Sequence, residues 1–249
     1  MSHTAIVTGG TRGIGAAISV ALSEDGHKVA ATYAGNDEAA EAFKTETGIS
    51  VYRFDVADFD QCAESVAKIE TDLGPINILV NNAGIMHQIG GIEDPIEDWE
   101  EAWSHSIAVN VKAPARLLRH AVRSWLRAEK TGSIISIGSW VTTRGTSNPG
   151  AIAYAASKAA IAAATKTVAR NYANRGILAF VIAPGVVRTQ MSIDSAAKTG
   201  GEQAVTATLP MGEWIPPSEI ADTVVFLAEG RARHLTGATI DLNGAAYIR

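Results

Sequence analysis

The chain predicts an α/β fold: a doubly wound parallel sheet with helices on both faces, three layers deep. Three observations carry this. Short apolar runs alternate with helix-period runs from end to end, the pattern of repeated βα units. The apolar runs are continuous, as strands buried on both faces require. No linker or composition shift divides the 249 residues, so a single domain spanning 1–249 is expected.

The elements follow in order. Ala5, Ile6 and Val7 read as a buried first strand, with residues 13–24 as its helix. Residues 28–32 give a second strand and 37–47 a helix; 50–54 give a third strand and 58–72 a helix. Ile76, Asn77, Ile78, Leu79 and Val80 form a fourth strand. A long helical stretch over 95–129 follows, broken near Pro114. Residues 133–137 and 178–182 are the fifth and sixth strands, separated by a long helix over 151–174. A helix at 217–229 and a last strand at 238–242 complete the pattern. Segment 188–216 is too polar and broken for a core element, and a stretch of that length is a lid, a binding loop or disordered.

Composition narrows the function. Hydrophobic residues make up 47%, enough for a sizeable core, yet no apolar run reaches the ~18 residues of a membrane span. The start, Met1-Ser2-His3-Thr4, runs into the first strand without a basic segment, so no secretory signal is expected. The net charge of -5, with no Lys/Arg cluster, argues against a nucleic-acid partner. A single cysteine, Cys62, suits a reducing, cytoplasmic location and reads as helix packing. The six histidines make no recognisable metal motif, so no metal is expected.

Gly9, Gly13 and Gly15 fall in the first strand-to-helix turn, within Thr8-Gly9-Gly10-Thr11-Arg12-Gly13-Ile14-Gly15. Glycine allows positive φ and close backbone approach, and the helix that begins there offers unpaired N–H groups to a pyrophosphate. An acid after the second strand would favour NAD through its ribose hydroxyl. Here that strand ends Thr32-Tyr33-Ala34-Gly35-Asn36, and Asp37 and Glu38 begin the next helix. Arg12 could pair with a 2′-phosphate, so NADP(H) is favoured over NAD(H).

Tyr154 and Lys158, in Tyr-Ala-Ala-Ser-Lys, stand one helical turn apart on one face. A nearby cation favours phenolate, which would let this tyrosine trade a proton near neutrality. With the glycine turn, Asn81-Asn82-Ala83-Gly84 after the fourth strand and Ser139 after the fifth, redox chemistry on a carbonyl or alcohol is the leading reading. Without a metal motif it needs an organic carrier.

These motifs together resemble the short-chain dehydrogenase/reductase family, over nearly the whole chain. The resemblance implies a Rossmann-type sheet of seven parallel strands. The first ~84 residues look most like acetoacetyl-CoA and 3-oxoacyl reductases, which use NADPH. It implies that Tyr154 is the general acid for ketone reduction and the base for alcohol oxidation. Lys158 would lower its pKa and bind the nicotinamide ribose. Ser139 would hydrogen-bond the substrate oxygen, and Asn110 would hold a water in the proton relay. Gly9, Thr11, Arg12, Gly13, Ile14 and Gly15 would bind the cofactor's phosphates; Asp55 and Val56 would meet its adenine; Asn82, Ala83 and Gly84 would line its cleft. In Pro184-Gly185-Val186-Val187-Arg188-Thr189, Thr189 would bind the carboxamide, with Pro184, Gly185 and Val187 beside it. Taken alone, Ser139 could cap a turn and Asn110 could satisfy local backbone.

After Gly84 the pattern departs. Ile85-Met86-His87-Gln88 replaces an expected threonine- and arginine-containing stretch, and Trp140 follows Ser139. Trp140, His87 and Met191 are candidate substrate-binding residues, and Met86, Met211 and Trp214 could join them in an apolar pocket. Arg144, Arg188 and Lys112 are candidate cations for an anionic carrier. A 3-oxoacyl thioester, or a small ketone, sugar or polyol, is the expected substrate; a non-catalytic nucleotide sensor is the rival class. Ala155, Ala156, Ala159, Ala160 and Ala163 would let another helix approach closely, and family resemblance makes that helix and residues 113–129 a homo-oligomer interface, tetrameric by expectation.

Overall fold

The computed structural model describes residues 2–248, the side chains of Phe59 and Asp60 excepted. Strands β1 (Thr4–Val7), β2 (Lys28–Tyr33), β3 (Ser50–Arg53), β4 (Ile76–Asn81), β5 (Gly132–Ile137), β6 (Ile177–Pro184) and β7 (Thr239–Leu242) form one parallel sheet in the order β3-β2-β1-β4-β5-β6-β7. Around it lie helices α1 (Gly13–Glu24), α2 (Asp37–Thr47), α3 (Phe59–Leu73), α4 (Ile96–Ile107), α5 (Ala113–Arg127), α6 (Val141–Arg144), α7 (Ile152–Tyr172), α8 (Gln190–Ala197), α9 (Gly201–Thr206) and α10 (Pro217–Ala228).

The period-2 alternation of each strand divides its apolar residues between two cores. Ala5, Val7, Ile78 and Val80 pack with Ile18 and Leu22 of α1 and Ile220 and Val224 of α10. Ile6 and Leu79 point the other way, to Ile69 of α3, Leu117 and Trp125 of α5 and Ile161 of α7. Burying each such large side chain contributes about 1.5–3 kcal/mol, so the sheet is held from both sides. From β1 the chain winds one way through β2 and β3, then returns to lay β4 on the other flank of β1. The connections diverge there, opening a crevice at the carboxyl ends of β1 and β4.

Three segments differ from expectation. The break in 95–129 is a π-helical turn, Ala108–Lys112, in which the Ala113 N–H reaches back five residues to the Ala108 carbonyl. Pro114, next in line, has no N–H for the Asn110 carbonyl, which favours the wider turn. Segment 188–216 is not irregular throughout: it contains α8 and α9. Buried Trp214 and Ile215 anchor it, with the Ile215 N–H on the Val186 carbonyl and the Arg188 N–H on the Ile215 carbonyl. Its polar composition reflects short helices with exposed outer faces. Between Ser139 and Tyr154 the chain makes the one-turn helix α6 before entering α7.

Candidate active site

The glycine turn lies at the crevice. Gly9 and Gly13 take positive φ, 61° and 53°. A Cβ on Gly15 would fall 2.0 Å from the Gly9 carbonyl oxygen and 2.6 Å from Asn82 Nδ2, so only glycine fits. Gly10 is equally confined, 2.7 Å from the Val7 carbonyl by the same measure. Arg12 stands at the N-cap of α1 in extended conformation without a side-chain cap, and no acid occupies the first turn. The exposed N–H end therefore has no internal anion to satisfy it. A cradle that any Cβ would fill, at an uncapped helix start, fits a dinucleotide pyrophosphate. Thr11 and Ile14 are half-buried beside it.

The loop after β4 is laced to this turn. Asn82 Nδ2 donates to the carbonyls of Thr8 at 2.9 Å and Gly9 at 3.2 Å, and the N–H groups of Asn82 and Ala83 both donate to Thr8 Oγ1 at 3.0 Å. At the other end of the crevice, β2 stops at Tyr33 with no acid. Asn36 caps α2 from a φ of 66°, and Asp37 lies 3.4 Å from Arg53. Arg53 is paired with Tyr33 across the sheet, so it stands beside the end of β2. Asp55 Oδ1 accepts the Ala57 N–H at 2.9 Å, and Val56 is buried beside it. Cys62 packs beneath; burial pushes its thiol up to about 11, which leaves it inert as expected.

The second cluster grows out of α7. Residues 154, 157, 158 and 161 share its inner face, and Ser157, Lys158 and Ile161 are buried. Lys158 Nζ donates to the Ile137 carbonyl at 2.8 Å and lies 5.9 Å from the centre of the Tyr154 ring. Burial depresses the Lys158 ammonium to about 8. Burial also pushes the Tyr154 phenol above its ordinary value, and its hydrogen bond with Ser139 draws it partly back. For Tyr154 desolvation is the larger influence, and it opposes the downward pull expected of a neighbouring cation. Ser139 is buried and its Oγ accepts the Val141 N–H at 3.4 Å, which braces the start of α6.

Asn110, buried in the π-turn, clamps Ile85 from both sides. Its Oδ1 accepts the Ile85 N–H and its Nδ2 donates to the Ile85 carbonyl, each at 2.9 Å. Its remaining N–H reaches Ser157 Oγ at 3.0 Å, and Ser157 donates to the Tyr154 carbonyl at 2.8 Å. Asn110 thus satisfies local backbone and also joins the tyrosine helix. A Cβ on Gly84 would lie 3.2 Å from Lys158 Nζ and 3.3 Å from Asn110 Oδ1, so the loop after β4 runs directly over both. From the third side, the Pro184 carbonyl accepts the Trp140 N–H at 3.0 Å and Gly185 donates to the Leu242 carbonyl. Val187 is buried and bridged to Ile215. Thr189 caps α8, its methyl 3.5 Å from where a Gly13 Cβ would stand. The segments 8–15, 82–85, 137–140, 154–158 and 184–189 therefore converge at the carboxyl ends of the interior strands.

The substrate candidates divide. Trp140 is half-buried under the Arg144 guanidinium. His87 Nε2 lies 3.1 Å from His105 Nδ1 of α4. Met191 is exposed in the first turn of α8. Trp214 and Met211 do not join the Tyr154 cluster: they line a small cavity with Leu209 and Ile215, and the Trp214 indole N–H donates to Thr206. Sequence reasoning missed Thr8, Gly10 and Ser157. Ser157 was legible as the polar residue one turn past Tyr154 on the inner face; the others act through contacts distant in sequence. Among the described residues no cluster of three or more His, Cys, Asp or Glu could hold a metal.

A phosphate cradle at the switch point, joined to a Ser–Tyr–Lys cluster whose serine and lysine are buried, defines a nicotinamide-dependent oxidoreductase. Comparison with known proteins agrees. A profile of the family described as Enoyl-(Acyl carrier protein) reductase matches residues 9–244. Acetoacetyl-CoA reductase of Shinella zoogloeoides is 42% identical over 253 residues, covering 100% of both chains. The 3-oxoacyl-(acyl-carrier-protein) reductase FabG of Staphylococcus aureus is 35% identical, covering 100% of this chain and 99% of the other. Among solved structures, a variant of actinorhodin polyketide ketoreductase with NADPH superposes at a TM-score of 0.89 with 27% identity, covering 98% of this chain and 97% of that one. A dehydrogenase/reductase from Sinorhizobium meliloti reaches 0.85 with 34% identity, over 100% and 96%. The chain belongs to the short-chain dehydrogenase/reductase family and is an oxidoreductase acting on a CH–OH/carbonyl pair.

Proposed function

We propose that this protein is an NADP(H)-dependent reductase of 3-oxoacyl thioesters, acting as a single catalytic domain over 1–249 in the cytoplasm. The observation that carries the reading is the buried Lys158 ammonium, fixed on the Ile137 carbonyl at 2.8 Å and 5.9 Å from the Tyr154 ring centre, with Ser139 close enough to lower the phenol's proton affinity. The 42% identity to an acetoacetyl-CoA reductase over the whole chain points to the substrate class. The cofactor, when bound, supplies the hydride. Tyr154 gives its proton to the carbonyl oxygen, and Ser139 donates a hydrogen bond to that oxygen as negative charge develops on it. Because burial raises the Tyr154 phenol, it carries that proton throughout the neutral range, which suits reduction; oxidation by the same residue gains as pH rises into the alkaline range. Lys158 binds the nicotinamide ribose, and Asn110 holds a water for the return of the proton.

Gly9, Thr11, Arg12, Gly13, Ile14 and Gly15 hold the phosphates, Asp55 and Val56 the adenine. Asn82, Ala83, Gly84, Pro184, Gly185, Val187 and Thr189 line the nicotinamide half. Arg12, with no acid at the end of β2, supports NADP(H) through charge attraction to a 2′-phosphate. Residues 188–216, with α8 and α9, form a lid over the substrate. Trp140, His87 and Met191 contact it.

The test is oxidation of NADPH and NADH against acyl thioesters, simple ketones, sugars and polyols. Fast turnover of acetoacetyl-CoA with NADPH is expected. A strong NADH preference overturns the cofactor assignment. Turnover of small ketones or sugars alone moves the substrate class, and cofactor binding without turnover of any substrate makes the protein a sensor.

A further inference from the structure

We propose that Arg144, laid on Trp140, is an anion-recognition element at the mouth of the site, so that the preferred ketone carries a negatively charged group. This rests on the ketone-reductase reading above and specifies its substrate. Trp140 directly follows Ser139, and its N–H is fixed to the Pro184 carbonyl at 3.0 Å. The next turn is α6. Thr142 donates to the Ser139 carbonyl from its N–H at 3.1 Å and from Oγ1 at 2.6 Å, and Gly145 closes the turn on the Val141 carbonyl. Arg144 ends this helix one turn after Trp140. Its guanidinium carbon sits 4.3 Å from the ring centre, well inside the ~6 Å reach of a cation–π contact.

That stack has two consequences. It biases an exposed, long side chain toward one direction by about 0.5–1 kcal/mol, so less rotamer freedom is left to lose when a ligand arrives. It places the guanidinium over the ring, and among the described residues no hydrogen bond engages its N–H groups, which are the donors a planar or tetrahedral oxyanion needs. Among the described residues no carboxylate pairs with Arg144. The other candidate cations differ. Arg188 is 2.8 Å from Glu202 and lies over the buried Trp214. Lys112 ends the π-turn, and among the described residues no ring lies beneath it.

The loop opposite is fixed as well. Asn148 Nδ2 donates to Gln88 Oε1 at 2.9 Å, and a Cβ on Gly150 would fall 2.3 Å from the Gln88 carbonyl. The backbone carrying Arg144 is therefore held on both sides at a constant offset from Ser139. A carboxylate beside the ketone, or a phosphate on a longer carrier, offers the same oxyanion chemistry.

The experiment compares wild-type protein and Arg144→Gln with NADPH and three ketones: acetoacetate, acetoacetyl-CoA and neutral ethyl acetoacetate. The kcat/KM of an anionic substrate relative to the neutral ester is expected to fall about tenfold in the variant, mostly through KM. A fall confined to acetoacetate assigns a carboxylate, and one confined to acetoacetyl-CoA assigns the carrier phosphates; either supports the proposal. An unchanged ratio for both overturns it. If wild-type protein reduces none of the three, the reductase reading has failed on its own. Calorimetric titration of both proteins with acetoacetate and with coenzyme A then decides the anion site: weaker binding by the variant supports it, and equal affinities overturn it.

Discussion

At Tyr154 and Lys158 one cause acts in opposite directions. Burial raises the phenol and lowers the ammonium, so each group is pushed toward its neutral form. Tyr154→Phe removes the hydroxyl and with it the transferable proton; kcat is expected to drop by about 10²–10⁴-fold while the dissociation constant for NADPH, followed by fluorescence, stays within about twofold. Lys158 makes a separate statement about stability. Its folded value of about 8 lies below its unfolded value of 10.5. Below pH 8 the ion is charged in both states, and the folded chain bears the full cost of burying it. Between pH 8 and 10.5 the folded chain sheds the proton first and that cost is relieved, so this residue's contribution rises with pH. Urea unfolding of wild type and Lys158→Met should therefore show the difference in stability moving toward wild type by roughly 3 kcal/mol between about pH 7 and 11. A pH-independent difference would show that the ammonium is not desolvated in the folded chain.

Among the elements, the first turn and the two loops that meet it carry the cofactor argument. Gly15→Ala pushes a methyl into the Gly9 carbonyl, backbone against backbone, and overpacking of this kind costs about 1–3 kcal/mol. NADPH affinity is expected to fall at least tenfold with the turn. Gly48→Ala is the control: that residue has a φ of 72° but open space around it, so it should cost about 1 kcal/mol and leave NADPH affinity intact. Thermal melts and NADPH titrations of both variants decide the matter. The π-turn has a comparable role at the other end of the site. By widening one turn before Pro114 it turns Asn110 inward to Ile85 and Ser157, linking the loop after β4 to the tyrosine helix.

For the whole molecule, assembly is the open proposal. On α7, Ala160 and Ala163 are exposed and Ala155, Ala156 and Ala159 half-buried, so these alanines are not consumed by packing on the chain's own sheet. The neighbouring α5 exposes Arg119, His120, Arg123 and Arg127, whereas α4 exposes Glu97, Glu100 and Glu101. We propose that copies associate through α5 and α7 into a homotetramer. Light scattering should give a mass about four times that of the chain; a species of 26.1 kDa alone would end the idea. Ala163→Arg, which inserts a long charged side chain on that face, should shift the mass downward without unfolding the subunit.

The sequence by itself determined the sheet, because continuous apolar runs separated by helix-period runs have one economical burial. It also determined the chemistry-bearing residues whose spacing is local: the glycines of the first turn, and Tyr154 with Lys158 one helical turn apart. It misjudged 188–216, since two short helices with exposed outer faces read as polar and broken, and it grouped Trp214 with the site although that indole is spent on Thr206. Only the tertiary structure decided what depends on distant partners: Thr8 on Asn82, Ser157 between Asn110 and Tyr154, Arg53 beside the end of β2. It decided as well the direction in which the phenol shifts. A side chain's proton affinity depends on how much water it loses, and that is set by the segments folded over it rather than by its neighbours in the chain.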